Sequence, residues 1–186
     1  MIKEQGKIEV ICGCMFCGKS EELVRRLKRA LIAKLNIQVF KPTLDNRYSE
    51  KDVVTHDGIR IDAIPIDDVI DMLSLINKDT DVVGIDEAQF FDEQLVGVCN
   101  ILVDSGRRIV IAGLDQDYQG KPFGPMPELL AIADYVTKLF AVCMRCGKPA
   151  SKTQRLVDND EKILVGEKNI YEARCRDCWD PQHDKG

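Results

Sequence analysis

Residues 13–20 read Gly13-Cys14-Met15-Phe16-Cys17-Gly18-Lys19-Ser20, the order of glycine, four residues, glycine, lysine and a hydroxyl residue that marks a phosphate-binding loop. Each type has a task there. Glycines let backbone N–H groups close around phosphate oxygens, lysine brings positive charge to the terminal phosphates, and serine offers its hydroxyl to Mg²⁺. The flanks agree. Ile8, Val10 and Cys12 alternate with Lys7, Glu9 and Ile11 as in a strand, and from Lys19 onward Leu23, Leu27, Ala30 and Leu31 recur at helical spacing. A plain glycine turn is the alternative, but it requires neither the lysine and serine nor the flanking strand and helix. The stretch predicts a nucleoside triphosphate site.

Working outward, the helix carries Glu21 and Glu22 first and Arg25, Arg26, Lys28 and Arg29 later, an order that suits the helix dipole and reads as a solvated face. Ile37-Gln38-Val39-Phe40-Lys41, closed by Pro42, reads as a second strand. Residues 43–57 form a polar connection holding Asp45, Arg47, Tyr48 and His56, a density of functional types that marks a candidate active-site loop. His56 by itself fits a structural hydrogen bond better. Residues 59–66 alternate as in a strand or edge segment, and residues 67–76 set Val69, Ile70, Leu73 and Ile76 on one helical face. Asp81-Val82-Val83-Gly84-Ile85-Asp86-Glu87 is a buried-strand pattern ending in two carboxylates, the end at which nucleotide-binding sheets present their chemistry. Residues 95–103 read as a helix with Cys99 in the core, and residues 108–114 as another buried strand. Gly113-Leu114-Asp115 then opens a loop through Tyr118, Gly120, Pro122, Phe123, Gly124 and Pro125.

Strands and helices alternating at this length predict an α/β fold with a mainly parallel sheet flanked by helices. After Phe140, polar residues and paired cysteines replace the alternation. That shift predicts a catalytic domain over 1–140 and a small C-terminal domain over 141–186.

The chain has 186 residues, of which 45% are hydrophobic, enough for one good core and a small appended module. Its formal net charge of −5 argues against a broad nucleic-acid footprint, because such binding is driven by lysine and arginine neutralising phosphates. A small anionic ligand is easier to accommodate. No apolar run approaches the roughly 20 residues that span a bilayer. A cytoplasmic protein is expected, in which the eight cysteines stay reduced and grouped thiols point to metal or chemistry.

Asp86 and Glu87 stand where phosphoryl transfer needs one carboxylate to support Mg²⁺ and another to take the proton of an attacking hydroxyl. Adjacent strand residues point to opposite faces, so both border one site only if the backbone turns; two solvated carboxylates are the alternative. Cys143-Met144-Arg145-Cys146 and Cys175-Arg176-Asp177-Cys178 are two Cys-x-x-Cys knuckles, the spacing that brings paired thiolates to one tetrahedral Zn²⁺. Four sulfurs and no spare position predict a structural site. A third such pair, Cys14 and Cys17, lies inside the phosphate loop, where a redox pair is conceivable but the loop has its own reason to exist.

With these motifs in hand, the chain resembles the thymidine kinases shared by many bacteria and the animal cytosol. The resemblance runs from about Ile8 to Cys178 and rests on Gly13 to Ser20, Asp45-Asn46-Arg47-Tyr48-Ser49, Thr55-His56-Asp57, Ile85-Asp86-Glu87-Ala88-Gln89-Phe90-Phe91, Gly113-Leu114-Asp115, Lys121-Pro122-Phe123-Gly124 and both knuckles. It implies transfer of the γ-phosphate of ATP to the 5′-hydroxyl of thymidine, with Glu87 as general base. Gly13, Cys14, Met15, Phe16, Cys17, Gly18, Lys19, Ser20, Arg47, Asp86 and Gln89 fall on nucleotide-binding positions, and Ser20, Asp45 and Asp86 on Mg²⁺ positions. Met15, Phe90, Leu114, Tyr118, Phe123 and Tyr171 fall on the thymidine pocket, under a zinc-based lasso whose returning arm carries Tyr171. The resemblance also implies a homotetramer inhibited by thymidine triphosphate, with no nucleic-acid or membrane partner. The chain departs from the family at Cys14 and Cys17, where proline and a small residue are usual, and at Tyr118, where phenylalanine is usual. The added phenol needs a partner if buried.

A second class remains open, a zinc-ribbon ATPase that couples hydrolysis to a nucleic-acid or protein partner. The acidic composition and the lack of a basic stripe interleaved with aromatics disfavour it. Between the knuckles, Asn159, Asp160, Glu161 and Lys162 precede Ile163-Leu164-Val165-Gly166, which predicts a mobile hairpin above the site that reads the base with main-chain groups.

Overall fold

The computed structural model describes residues 6–43, 52–54, 60–157 and 170–181. In chain order the elements are β1 Lys7–Cys12, α1 Lys19–Ile32, β2 Ile37–Pro42, β3 Asp52–Val54, β4 Arg60–Asp62, β5 Ile64–Ile66, α2 Asp71–Leu75 and β6 Val82–Ile85. They continue as α3 Gln94–Asp104, β7 Arg108–Gly113, α4 Met126–Ile132, β8 Tyr135–Lys138, and the short strands β9 Ala141–Val142, β10 Pro149–Ala150, β11 Lys152–Arg155 and β12 Tyr171–Arg174. Six of them make one sheet in the order β5-β2-β6-β7-β1-β8, and every pairing in it is parallel.

A parallel sheet must be covered on both faces, and two apolar clusters do this. Ile8, Val10, Phe40, Val83, Ile85, Ile109 and Ile111 pack with Leu95, Val98 and Cys99 of α3 and Leu129 of α4. On the other face Ile11, Val39, Val110 and Ala112 pack with Leu23, Val24, Leu27 and Ala30 of α1. Strand β1, between β7 and β8, is therefore buried on both sides, and the alternation read from its sequence does not separate core from solvent. At β6, Gly84 gives α1 room: a Cβ there would lie 3.0 Å from Leu27 Cδ1.

Several segments differ from expectation. Leu31 is 49% exposed, so the buried stripe of α1 ends at Ala30. The helix expected over 67–76 starts only at Asp71, because the Asp68 carboxylate accepts a hydrogen bond from the Ile70 N–H at 2.8 Å and holds a turn there. The segment read as one strand splits in two, β4 pairing antiparallel with β3 and β5 joining β2 in the main sheet. Strand β3 itself lies inside what reads as a polar connection.

Arg26 corrects the picture of a solvated basic face. Glu9 of β1 is only 8% exposed, and a buried carboxylate demands partners. Arg26 Nη1 reaches Glu9 Oε2 at 2.8 Å and Arg108 Nε reaches Oε1 at 2.7 Å. Arg26 also donates to Glu22 at 2.7 Å and to Thr137 Oγ1 at 2.8 Å. The network thus ties α1 to β1, β7 and β8. Burial pushes the Glu9 carboxyl up, but Arg108 and then Arg26 outweigh it and hold the group below its ordinary value. With a folded value below the unfolded one, its contribution is complete above the ordinary carboxylate range and is lost as pH falls through the depressed value. We predict that Glu9→Gln, which removes the buried charge shared by two guanidinium groups, destabilises the fold by about 3 kcal/mol. Urea unfolding at pH 7 measures this, and an unchanged midpoint would show the network to be ornamental.

Candidate active site

Strand β1 delivers the chain to its loop at Gly13, whose φ of 145° suits glycine. A Cβ at Gly13 would sit 2.5 Å from the Leu139 carbonyl oxygen and 2.7 Å from Cys17 Sγ. Phe16 turns the loop at φ 65°, and Gly18, left-handed at φ 85°, precedes the first residue of α1. The Lys19 ammonium donates to the Cys14 carbonyl at 2.8 Å and lies 3.9 Å from Cys17 Sγ. The neighbouring Cys14 thiol and the Lys19 charge pull the Cys17 thiol below its ordinary value against burial. The same thiol contact, with burial, pushes Cys14 up.

Two strands away, β6 ends at Ile85 and the Asp86 N–H still bonds the Phe40 carbonyl at 3.0 Å. The Asp86 carboxylate accepts from the Ser20 hydroxyl at 3.2 and 3.3 Å and from the Glu87 N–H at 3.0 Å. Glu87 is left-handed, φ 52° and ψ 39°, a strained state for a residue with a Cβ. That turn breaks the strand alternation which would otherwise send the two carboxylates to opposite faces. Gln89, 2% exposed, donates to Glu87 Oε2 at 2.5 Å and accepts from the Leu114 N–H at 2.9 Å. Gly113 and Gly124 make room for it: a Cβ would lie 3.1 Å from Gln89 Oε1 at Gly113, and 2.3 Å from the Gln89 carbonyl oxygen at Gly124.

The aromatic residues gather in two groups. Phe90 and Phe123 meet edge to face with centroids 5.6 Å apart. The Arg155 guanidinium lies 3.6 Å from the Tyr118 ring centroid and 5.6 Å from that of Tyr171, and it donates to the Tyr171 hydroxyl at 3.1 Å. The Tyr118 phenol, foreseen as needing a partner, accepts from Gln119 Nε2 at 3.2 Å. Met15 is joined to β11 by its N–H, which donates to Thr153 Oγ1 at 3.1 Å, and the Cys14 thiol donates to the Ala150 carbonyl at 3.3 Å.

Of the residues singled out from sequence, Gly13 to Ser20 and Asp86 are thus in one connected group, with Glu87, Gln89 and Leu114 beside them. Asp45, Arg47, Tyr48 and His56 lie outside the described residues, as does the expected hairpin tip at 159–166. Sequence reading missed Lys152, Thr153, Arg155 and Trp179. Lys152 donates to Gln116 Oε1 at 2.6 Å and lies 4.6 Å from the Trp179 ring centroid. All four residues of β11 are polar and all four are buried, which no hydrophobic period signals; only their position between the knuckles hinted at a role.

The four knuckle cysteines, Cys143, Cys146, Cys175 and Cys178, bring their sulfurs within 4.8 Å of one another. Sulfurs bound at about 2.3 Å around one tetrahedral ion would be about 3.8 Å apart. This all-thiolate donor set suits zinc.

Phosphate-binding amides, a lysine and a carboxylate pair at the carboxyl ends of parallel strands equip a protein to move a phosphoryl group between bound oxygens. Fold and site together define a P-loop phosphotransferase. The sequence model of one family, described as thymidine kinase, matches residues 6–179. Two curated relatives, from Bacteroides fragilis strain YCH46 and Bacteroides thetaiotaomicron, both described as thymidine kinase, are each 54% identical over 177 residues, covering 95% of this chain and 88% of the relative. The chain belongs to the thymidine kinase family. Among the described residues no helix is long and apolar enough to cross a membrane.

Metal analysis of freshly purified, reduced protein is expected to find about one zinc per chain. Cys175→Ser should lower both zinc content and melting temperature; full zinc content in that variant would contradict the four-cysteine assignment.

Proposed function

We propose that this chain transfers the γ-phosphoryl group of ATP to the 5′-hydroxyl of thymidine, giving thymidine monophosphate and ADP for nucleotide salvage. The observation that carries the reading is the Glu87 turn, linked through Gln89 to Leu114 and through Asp86 to Ser20 in the phosphate loop. A carboxylate fixed beside bound phosphates is the group that takes a proton from an attacking hydroxyl. Glu87 is the general base. Lys19 and the loop residues Gly13, Cys14, Met15, Phe16, Cys17, Gly18 and Ser20 hold the phosphates, with Arg47, Asp86 and Gln89 completing the nucleotide contacts. Met15, Phe90, Leu114, Tyr118, Phe123 and Tyr171 line the thymidine pocket.

The Ser20 hydroxyl and Asp86 carboxylate are hard oxygen donors already within hydrogen-bonding distance of each other, a set that fits Mg²⁺. With Asp45 they would hold it. Bound there, Mg²⁺ neutralises charge on the phosphate oxygens. Zinc at the cysteine knuckles is structural. The division into 1–140 and 141–186, a cytoplasmic location, a homotetramer and feedback inhibition by thymidine triphosphate belong to the same reading. Exposed Tyr135 and Val136 on edge strand β8 support association of subunits. The ATPase alternative has only the shared loop and the four-cysteine cluster in its favour.

Measuring ATP consumption with and without thymidine tests the assignment. Consumption is expected to depend on thymidine, whereas equal rates would mean hydrolysis without an acceptor. Glu87→Gln should retain both substrates but lower turnover by roughly 10²-fold or more, and Lys19→Ala should weaken both ATP binding and transfer. Near-normal turnover in Glu87→Gln would remove it as the base.

Base choice gives a further expectation. Thymine offers a donor at N3 and a carbonyl acceptor beside it, whereas cytosine reverses both, and each buried group left unpaired costs about 1–3 kcal/mol. The thymine methyl contributes about 0.8 kcal/mol over uracil. Thymidine should be the best substrate, deoxyuridine weaker and deoxycytidine nearly inert, with residues 151–174 protected from protease when thymidine binds. Equal use of deoxycytidine, or unchanged cleavage, would remove this segment from base selection.

A further inference from the structure

The thiols of Cys14 and Cys17 are unused by phosphoryl transfer, yet their placement is specific. The loop reverses over Met15 and Phe16, with Phe16 at φ 65°, and a turn of this span holds its end Cα atoms within about 7 Å, the limit beyond which a disulfide cannot bridge them. The two thiols are close enough to perturb each other, Cys17 downward and Cys14 upward. They are not equivalent. Cys14 is 2% exposed and donates to the Ala150 carbonyl at 3.3 Å, whereas Cys17 is half-buried and has the Lys19 ammonium 3.9 Å from its sulfur. A more open sulfur beside a fixed cation is the attacking member of a pair, and a buried neighbour is its resolving partner.

We propose that Cys17 and Cys14 form a thiol–disulfide exchange site within the phosphate loop, taking small-molecule disulfides as substrate and competing with ATP. This rests on the reading of the loop as the ATP phosphate site. The Cys17 thiolate attacks one sulfur of a disulfide R–S–S–R, forming a Cys17–S–S–R mixed disulfide and releasing one R–S⁻. Cys14 then attacks Cys17 Sγ, closing the Cys14–Cys17 bond and releasing the second R–S⁻. The two cysteine protons end on two R–SH, and two electrons pass from the loop to the reagent.

The cross-link ties together residues 14 and 17, whose intervening amides must arrange around phosphates, and bound phosphates in turn cover Cys17. Each event therefore opposes the other, by equal factors at equilibrium. The pair stands apart from Cys12 and Cys99, both buried with thiols pushed up chiefly by burial, to about 11 and about 12.

The test uses the zinc-loaded full chain and hydroxyethyl disulfide, read by mass spectrometry of the peptide containing residues 14–17, with released zinc followed by a chromophoric chelator. Wild type is expected to lose two hydrogens in this peptide before zinc is released. Cys14→Ser is expected to stop at the mixed disulfide on Cys17, and Cys17→Ser to leave Cys14 unmodified. ATP with Mg²⁺ at ten times its dissociation constant, measured separately by equilibrium dialysis, should slow the reaction about tenfold. A peptide that stays reduced while zinc is lost, or a Cys17→Ser chain modified as fast at Cys14, overturns the exchange site. If dialysis detects ATP binding but cross-linking proceeds unslowed, competition is refuted; if dialysis detects no binding, the failure lies in the kinase reading and the peptide masses alone judge the exchange chemistry.

Discussion

The order of strands imposes one distance on this protein. Strand β7 lies between β1, which feeds the phosphate loop, and β6, which ends in the carboxylates, so the two halves of the site start about 10 Å apart, two strand spacings. The contact between the Ser20 hydroxyl and the Asp86 carboxylate closes that distance. Its geometry depends on the loop returning as a helix at Lys19, and on β6 stopping so that Glu87 turns away. What lies in the gap must be small. Gly113, at the end of β7, leaves space that Gln89 and Met126 occupy, and Gln89 uses it to connect Glu87 with the Leu114 backbone. Strand order, a missing Cβ and one amide side chain thus hold a strained glutamate in place.

Much of this was legible in the chain because the relevant signals are local. The phosphate loop is a contiguous pattern with a strand before and a helix after it. The run from Asp81 to Ile85 is apolar because both faces of β6 are covered, and the knuckles announce themselves by spacing. The misreadings arise where a distant partner overrides a local pattern. Arg26 has the spacing of a solvated residue but answers to Glu9 on another element. Asp68 delays α2 through its own side chain. Strand β11, Lys-Thr-Gln-Arg, reads as surface because each residue is polar; it is buried because each finds a partner. Gln154, for example, donates to the Asp180 carbonyl and accepts from its N–H, both at 2.8 Å. No window of sequence contains both members of such a pair.

Tyr118 shows how one departure from a family pattern is absorbed. The ring keeps the apolar bulk of phenylalanine and takes the Arg155 guanidinium on its face, an arrangement that favours charge without a hydrogen bond. Its backbone carbonyl accepts from the Trp179 indole at 3.3 Å, and its hydroxyl meets the Gln119 side chain. Arg155 is nearly fully buried, and the two tyrosines flank its guanidinium. The aromatic group is therefore also the seat of a charge.

The phosphate loop is tied to residues that are far away along the chain. Cys14 and Met15 bond to Ala150 and Thr153, and Cys14 packs in one cluster with Ala141, Cys143, Ala150, Ala173 and Cys175. Synthesis on the ribosome runs from the N-terminus, so all six strands of the parallel sheet have been made once residue 138 is added. The loop among them would still lack its support. The part of the site that is encoded first is finished last, which separates having the fold from having the grip on phosphate during the birth of each molecule.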